Sequence, residues 1–475
     1  MKEIRPATSR GTHASIMSQK EIRNVAIIAH VDHGKTTLVD ALLRQSNSLK
    51  KSEGGDLLMD SNELERERGI TIFSKNAAVE FEGVKINIID TPGHADFGGE
   101  VERIMRMVDG AVLLVDAKEG PMPQTKFVLR KAIQAGHKII VVINKIDKPE
   151  ARVEWVLDKT FDLFVELGAS DEQTDFPVIY ASGVQGKAGL EPDLSKMTDI
   201  KPVFDVLLRV IPVAKADSAA PLQMLTVNLS YDNFKGKIAV GRLYAGSIKK
   251  GMEVAHINRD GVTKKVKITA VMSFQGMSRI EVDEVFAGDI AAIAGIPDVS
   301  IGETIADPAN PVALPTIAIE EPTVKMTFGI STSPFAGQEG QYTTSRQIKE
   351  RLEHELETDV ALKMFATDSA EKWVMAGRGE LHLAILIEKM RREGFELQVS
   401  KPQVIFKEVE GKKLEPIEHV TVEVPENFAG TVIEKMGKRR GEMKDMKVEN
   451  KTAYLEFVIP TRGLIGYRSE LLTDT

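Results

Sequence analysis

Lys35 and Thr36 close the run Ala29-His30-Val31-Asp32-His33-Gly34-Lys35-Thr36, which lies between the apolar stretch Val25-Ala26-Ile27-Ile28 and the helical pattern Thr37-Leu38-Val39-Asp40-Ala41-Leu42-Leu43. A strand, a small-residue turn and a helix are therefore predicted to meet at one point. There the free N–H groups of the turn and first helical turn converge on an anion, and the helix dipole adds positive potential. This is a phosphate cradle of the P-loop kind, although Ala29 stands where the usual pattern has glycine. Lys35 would reach the β- and γ-phosphates and the Thr36 hydroxyl would be a ligand of Mg²⁺, with Asp32, His33, Gly34 and Thr37 completing the cradle.

Four further segments follow in an order that suits one bound nucleotide. Asp90-Thr91-Pro92-Gly93-His94 follows the strand pattern Val84 to Ile89 and sets a carboxylate at a strand's C-terminal end, where open α/β sheets bind ligands. Asp90 would hold Mg²⁺ through water, and Gly93 would let the backbone approach the γ-phosphate because it has no Cβ. By itself the segment is also an ordinary turn after a strand. Asn144-Lys145-Ile146-Asp147 follows the buried-strand pattern Ile139 to Ile143. Guanine alone offers the acceptor-only Asp147 carboxylate two adjacent donors, whereas adenine leaves it unsatisfied. Ala181-Ser182-Gly183 fits a loop whose backbone N–H reads the guanine carbonyl oxygen. In Arg66-Glu67-Arg68-Gly69-Ile70-Thr71-Ile72, Thr71 is the candidate second hydroxyl on Mg²⁺, in a loop free to leave once the γ-phosphate is gone. The charges before it also suit a solvated helix face.

The set AHVDHGKT, ERERGITI, DTPGH, NKID and ASG resembles the translational GTPases, the family of elongation factors G and Tu. Within it, MDSNELERERGITI together with PTRGLIGYRSELLTDT is similar to the BipA (TypA) branch. The resemblance covers nearly the whole chain after about residue 20. It implies that His94 positions or activates the attacking water, and that Val31 and Ile70 form an apolar gate that a partner opens. It also implies that Asn144, Lys145 and Asp147 hold the guanine of GTP or GDP, with Ser182 and Gly183 closing the site. A neutral imidazole beside the γ-phosphate could orient water without full proton transfer. No residue stands out as an arginine finger in cis, so slow intrinsic turnover and activation by a partner are expected.

The 475 residues are too many for one core and suggest three to four domains. The chain has no cysteine, which excludes disulfides and Cys-based zinc sites and suits a reducing cytoplasm. No apolar run approaches the ~20 residues of a membrane span. A net charge of -8 does not exclude nucleic acid, since phosphate affinity depends on local basic patches.

Residues 1–17 have no apolar period and read as a leader or expression-derived segment. Strands alternating with amphipathic helices over 18–205 predict a P-loop GTPase domain with a mostly parallel sheet. Short strands with glycine turns over 218–312 predict a closed β-barrel, with Val262 to Val271 as one strand and Gly236, Gly241, Gly246 and Gly251 at turns. The order β-α-β-β-α-β over 320–400 predicts a ferredoxin-like α+β unit. A second such unit begins within 401–475, and Thr475 arrives before its fourth strand. This order argues against a Tu-like factor, and the space between the two units leaves no room for the insertion of elongation factor G. BipA or LepA remain.

The resemblance further implies additional residues and a family-specific C-terminal domain after Thr475. Much of the contact with the ribosome, both ribosomal RNA and transfer RNA, is expected in that region, so such contact should be weakened or lost in this chain. The expected state is a monomeric, cytoplasmic, GTP-hydrolysing factor acting on the ribosome in translation, stress response or ribosome assembly. The rival is a nucleotide-gated scaffold in which hydrolysis only resets the bound state. Lys435, Lys438, Arg439, Arg440, Lys444 and Lys447 could face RNA phosphates. Their interleaving with Glu434, Glu442 and Asp445 also fits a solvated helix end and turn.

Overall fold

The chain is described by a computed structural model covering residues 21–30, 32–46, 63–68, 74–92, 98–317, 321–449 and 451–475. Its first sheet comprises β1 (Ile22–Ala29), β2 (Asn76–Phe81), β3 (Val84–Asp90), β4 (Gly110–Asp116), β5 (Lys138–Asn144), β6 (Val178–Ser182) and β7 (Lys187–Gly189), in the order β2-β3-β1-β4-β5-β6-β7. The five strands from β3 to β6 are parallel, and β2 and β7 are antiparallel edges. Every residue of β1 and β4 is buried. The apolar runs Val25–Ala29 and Gly110–Val115 are what a parallel sheet covered on both faces requires. The connecting helices are α1 (Lys35–Gln45), α2 (Glu63–Arg68), α3 (Gly98–Met107), α4 (Pro123–Gln134), α5 (Val153–Glu166), α6 (Asp171–Thr174) and α7 (Lys201–Val210). Helices α1 and α7 pack on one face, and α3, α4 and α5 on the other. The C-terminal ends of β1, β3, β4, β5 and β6 thus open at one rim.

The next strands are β8 (Gln223–Asp232), β9 (Gly236–Ala245), β10 (Ser247–Lys249), β11 (Glu253–Ile257), β12 (Thr263–Lys267), β13 (Ala270–Gln275), β14 (Ser278–Glu281), β15 (Glu284–Phe286), β16 (Ile290–Ala294) and β17 (Thr304–Ala306). Eight form an antiparallel sheet, β12-β11-β17-β8-β9-β16-β13-β14, and β10 pairs with β15. Strands β11 and β13 lie near opposite ends of that sheet, yet Val254 and Val271 share one buried cluster. The sheet therefore wraps around an apolar interior. Two sequence expectations change here. Val262 to Val271 is two strands, because the chain leaves the ladder with β11 and joins that with β16 at Ile268–Thr269. Gly241 lies inside β9 rather than at a turn, and a Cβ there would meet the Leu225 carbonyl oxygen at 1.9 Å.

Outer-face residues of this sheet, including Leu225, Val240, Met272 and Phe274, join the same apolar cluster as α3 and the first sheet. Polar groups fix the contact. Lys85 reaches Asp289 at 2.7 Å, Asn87 donates to Asp289 at 3.0 Å, and Arg242 pairs with Asp109 at 2.8 Å.

The third unit has β18 (Val324–Ile330), α8 (Ser345–Thr358), β19 (Lys363–Ala366), β20 (Lys372–Gly377), α9 (Glu380–Arg392) and β21 (Leu397–Val399), in the order β19-β20-β18-β21, with β22 (Gln403–Val404) also on β18. The hairpin β23 (Lys407–Val409) and β24 (Lys412–Leu414) leads to β25 (Ile417–Pro425), α10 (Ala429–Lys438), β26 (Glu442–Glu449) and β27 (Thr452–Pro460), ordered β25-β27-β26. After β27 come α11 (Thr461–Leu464) and α12 (Tyr467–Asp474). Tyr467 is buried in the same cluster as Val432 and Phe457, which draws α12 onto the sheet.

Candidate functional site

The rim formed by β1, β3, β4, β5 and β6 carries Asp32 to Thr37, Asp90, Asn144 to Asp147, Ser182 and Gly183. Gly34, at φ 89°, caps α1 without a side-chain cap of its own. No acidic residue occupies the first turn. The helix dipole at this end is therefore not offset by an acidic side chain in the first turn, where Thr36 and Thr37 are half-buried. Asp32 is an exposed turn residue in the left-handed region, at φ 62°.

Lys35 extends from this helix end to Asp90 at the end of β3, with Nζ 2.5 Å from Oδ1, and also donates to the Thr91 carbonyl at 3.3 Å. Asp90 is 2% exposed. Burial raises its pKa, against the pull of the Lys35 ammonium. Thr91 donates its hydroxyl to the Ile27 carbonyl at 2.7 Å, which fastens the loop after β3 to β1.

Asn144 ties the remaining loops together. Its Nδ2 donates to the His33 carbonyl at 2.8 Å, and its Oδ1 accepts from the Gly183 N–H at 2.9 Å. One buried amide thus bridges the loop after β1 to the loop after β6. Asn144 was expected on the base; in this arrangement it holds the walls. The Gly183 N–H, expected among the donors to a guanine oxygen, is taken by Asn144, while Ser182 is buried and accepts from the Gln185 N–H at 3.4 Å. Asp147 is half-buried, and its carboxylate has no hydrogen-bond or ion-pair partner among the described residues. It is the group in this loop left open to a ligand.

Lys145, also left-handed at φ 62°, pairs with Asp116 at 2.8 Å. Burial works against ionised Asp116, but the Lys145 hydrogen bond and the N–H groups of Lys118 and Glu119 outweigh it and lower its pKa. Asp116 escaped the sequence reading. The available signal was a carboxylate ending the buried strand Gly110–Asp116, the same pattern that marks Asp90. His33 is fully buried; its Nδ1 accepts from the Asp116 N–H at 3.3 Å, and its Nε2 lies 3.5 Å from Glu119. Burial, reinforced by His30, lowers its pKa to about 4, so the ring is neutral near pH 7.

Val31, Ile70, Thr71, Gly93 and His94 lie outside the described residues. The elements beside them are tied to the rest of the molecule. Glu65 of α2 pairs with Lys75 at 2.6 Å, Glu67 pairs with Arg392 at the end of α9, and Ser74 accepts from Asn228 at 3.0 Å. On α3, Glu100 faces Arg103, Asp359, His382 and Lys389, and burial raises its pKa to about 7.

Comparison with known proteins now bears on the site. Residues 20–213 match the Elongation factor Tu GTP binding domain, residues 236–306 match Elongation factor Tu domain 2, and residues 412–475 match the Elongation factor G C-terminus. The chain is 54% identical over 458 residues to the Large ribosomal subunit assembly factor BipA of Synechocystis sp., covering 96% of this chain and 76% of that one. The chain belongs to the BipA family. The BipA of Bacillus subtilis is 50% identical over 459 residues, covering 96% and 75% of the two chains. A chloroplastic TypA-like relative of Arabidopsis thaliana is 52% identical, covering 95% and 67%. A crystal structure from Thermus thermophilus shares the fold, with a TM-score of 0.66 at 18% identity over 94% of each chain. The match to the Elongation factor Tu GTP binding domain spans all seven strands of the first sheet. No helix among the described residues is long and apolar enough to cross a membrane.

Proposed function

We propose that this chain is a ribosome-associated nucleotide switch of BipA type, which binds GTP with Mg²⁺ in the cradle around Lys35 and hydrolyses it slowly until a ribosomal partner activates it. The observation that carries this reading is the Asn144 clasp, which holds the His33 and Gly183 loops together beside the N-terminal end of α1. Lys35 would turn from Asp90 to the β- and γ-phosphates, and the positive end of the α1 dipole would favour the remaining phosphate oxygens. Asp147 would accept from guanine. Thr36 directly and Asp90 through water would hold Mg²⁺, with Thr71 as the second hydroxyl. The metal would neutralise charge between the β- and γ-phosphates. Asp90 suits that task, being a buried carboxylate already balanced by a cation. His94 would orient the attacking water, with Val31 and Ile70 as its gate.

The domain organisation we infer is 18–205, 218–312, 320–400 and 401–475. A cytoplasmic, monomeric factor that contacts ribosomal RNA fits this reading. Its relatives' names favour assembly of the large ribosomal subunit as the setting. Calorimetry with GDP and GTP, followed by GTP turnover with and without each ribosomal subunit, tests the proposal. Absence of nucleotide binding removes it. Binding that depends on nucleotide but brings no stimulation favours the scaffold role instead. His94→Ala should retain GTP and lose on the order of 10²–10⁴ in stimulated turnover.

A further inference from the structure

Among the described residues, α8 and α9 cover one face of the sheet of the third unit. Met326 and Phe328 of β18, Trp373 and Met375 of β20 and Met364 of β19 pack against α8 and α9. The alternating residues face the other way. In register across three strands they form one row of Phe365, Val374 and Thr327 and an adjacent row of Lys363, Ala376 and Lys325. This face borders a groove of about 730 Å³, closed on its far side by Ile405, Lys407 and Leu414.

The charges in the groove are unevenly satisfied. Lys407 pairs with Glu321, and Glu415 pairs with Arg462 at 2.7 Å. Lys325 and Lys363 belong to no ion pair among the described residues. Phe365, two residues along β19 from Lys363, is 51% exposed. The more obvious basic cluster differs: Lys435, Lys438, Arg439, Lys444 and Lys447 are each paired with a carboxylate. An exposed ring beside two lysines outside any ion pair on one face of a five-stranded sheet matches the chemistry of an unpaired nucleotide, whose base stacks while its phosphates meet ammonium groups.

We propose that this open face binds a short stretch of single-stranded RNA, with a base stacked on Phe365 and backbone phosphates on Lys325 and Lys363. The choice of RNA over DNA rests on the ribosomal role proposed above. An oligonucleotide assay on this chain needs neither ribosome nor GTP hydrolysis, so its outcome is separate from that role.

The test is fluorescence anisotropy with a labelled octameric oligoadenylate at about 50 mM salt, repeated along a salt series. Phe365→Ala should weaken binding roughly tenfold or more, while Phe365→Trp retains it. Lys325→Ala with Lys363→Ala should flatten the plot of log affinity against log salt by about 0.7 for each lost phosphate contact. Phe335→Ala, at an exposed ring elsewhere in this unit, should bind as the parent does. Matching circular dichroism of all variants checks folding. The proposal is overturned by no binding, by unchanged affinity in Phe365→Ala, by equal loss in Phe365→Trp, or by tighter binding of the DNA octamer. Displacement by polyglutamate at matched charge would identify an acidic-peptide site and overturn it as well.

Discussion

Nδ2 of Asn144 donates to the His33 carbonyl at 2.8 Å, and both residues are buried. The bond places the end of β5 directly under the turn that follows β1, so the base side and the phosphate side of the site are set by one amide. Asn144→Ala removes a donor and an acceptor together, leaving the His33 carbonyl and the Gly183 N–H without them. Each orphaned group costs about 1–3 kcal/mol when buried. The expected result is a lower unfolding midpoint and GDP affinity reduced by tenfold or more by calorimetry, whereas unchanged affinity would show that the clasp is not needed.

Gly34 tests the same clasp from the opposite side. A Cβ at Gly34 would lie 2.4 Å from Asn144 Nδ2, at a φ of 89° that L side chains avoid. Gly83 has a similar φ of 82° and nothing within 4 Å of its Cβ position. Gly83→Ala should therefore lose only about 1–2 kcal/mol of stability from the left-handed backbone and keep its nucleotide affinity. Gly34→Ala should lose nucleotide affinity beyond that backbone cost. Equal behaviour of the two variants would assign the whole effect to backbone strain.

The half-exposed Asp147 carboxylate carries base selection in the proposed site. Asp147→Asn replaces an acceptor-only group by one that also donates, so guanine's two donors no longer meet two acceptors. GDP affinity should fall by about 1–3 kcal/mol and xanthosine diphosphate should gain. Titration with both nucleotides checks this, and undiminished GDP binding would move the base elsewhere.

Strand ends were legible because apolar-rich runs announce buried parallel strands, and Asp90 and Asn144 each end one. The order β-α-β-β-α-β read over 320–400 is also found, from β18 to β21. Other features depend on partners distant in sequence. Nothing near Asn144 tells that its amide is spent on His33 and Gly183. The partner change at Ile268–Thr269 is invisible because Ile268 and Val271 continue one apolar stretch. Asp289 looks like a surface turn residue until Lys85 and Asn87 arrive from the first sheet.

Two titrating groups pull the stability of the nucleotide-free chain in opposite directions. Burial raises Glu100 from 4.5 to about 7, with Asp359 adding to the rise and Arg103, His382 and Lys389 opposing it. The folded state then binds this proton more tightly than the unfolded state, so the stability it contributes is lost as pH rises from 4.5 to about 7. Burial lowers His33 from 6.5 to about 4, so its contribution is lost as pH falls through that window. Each spans about 3 kcal/mol by linkage. The two nearly cancel between pH 4.5 and 6.5 in the parent chain. Glu100→Gln should expose the His33 limb, giving stability that climbs with pH across that interval. His33→Gln should expose the Glu100 limb and reverse the slope. Urea unfolding at a series of pH values reads both, and parallel curves for the two variants would show that neither group titrates as its surroundings require.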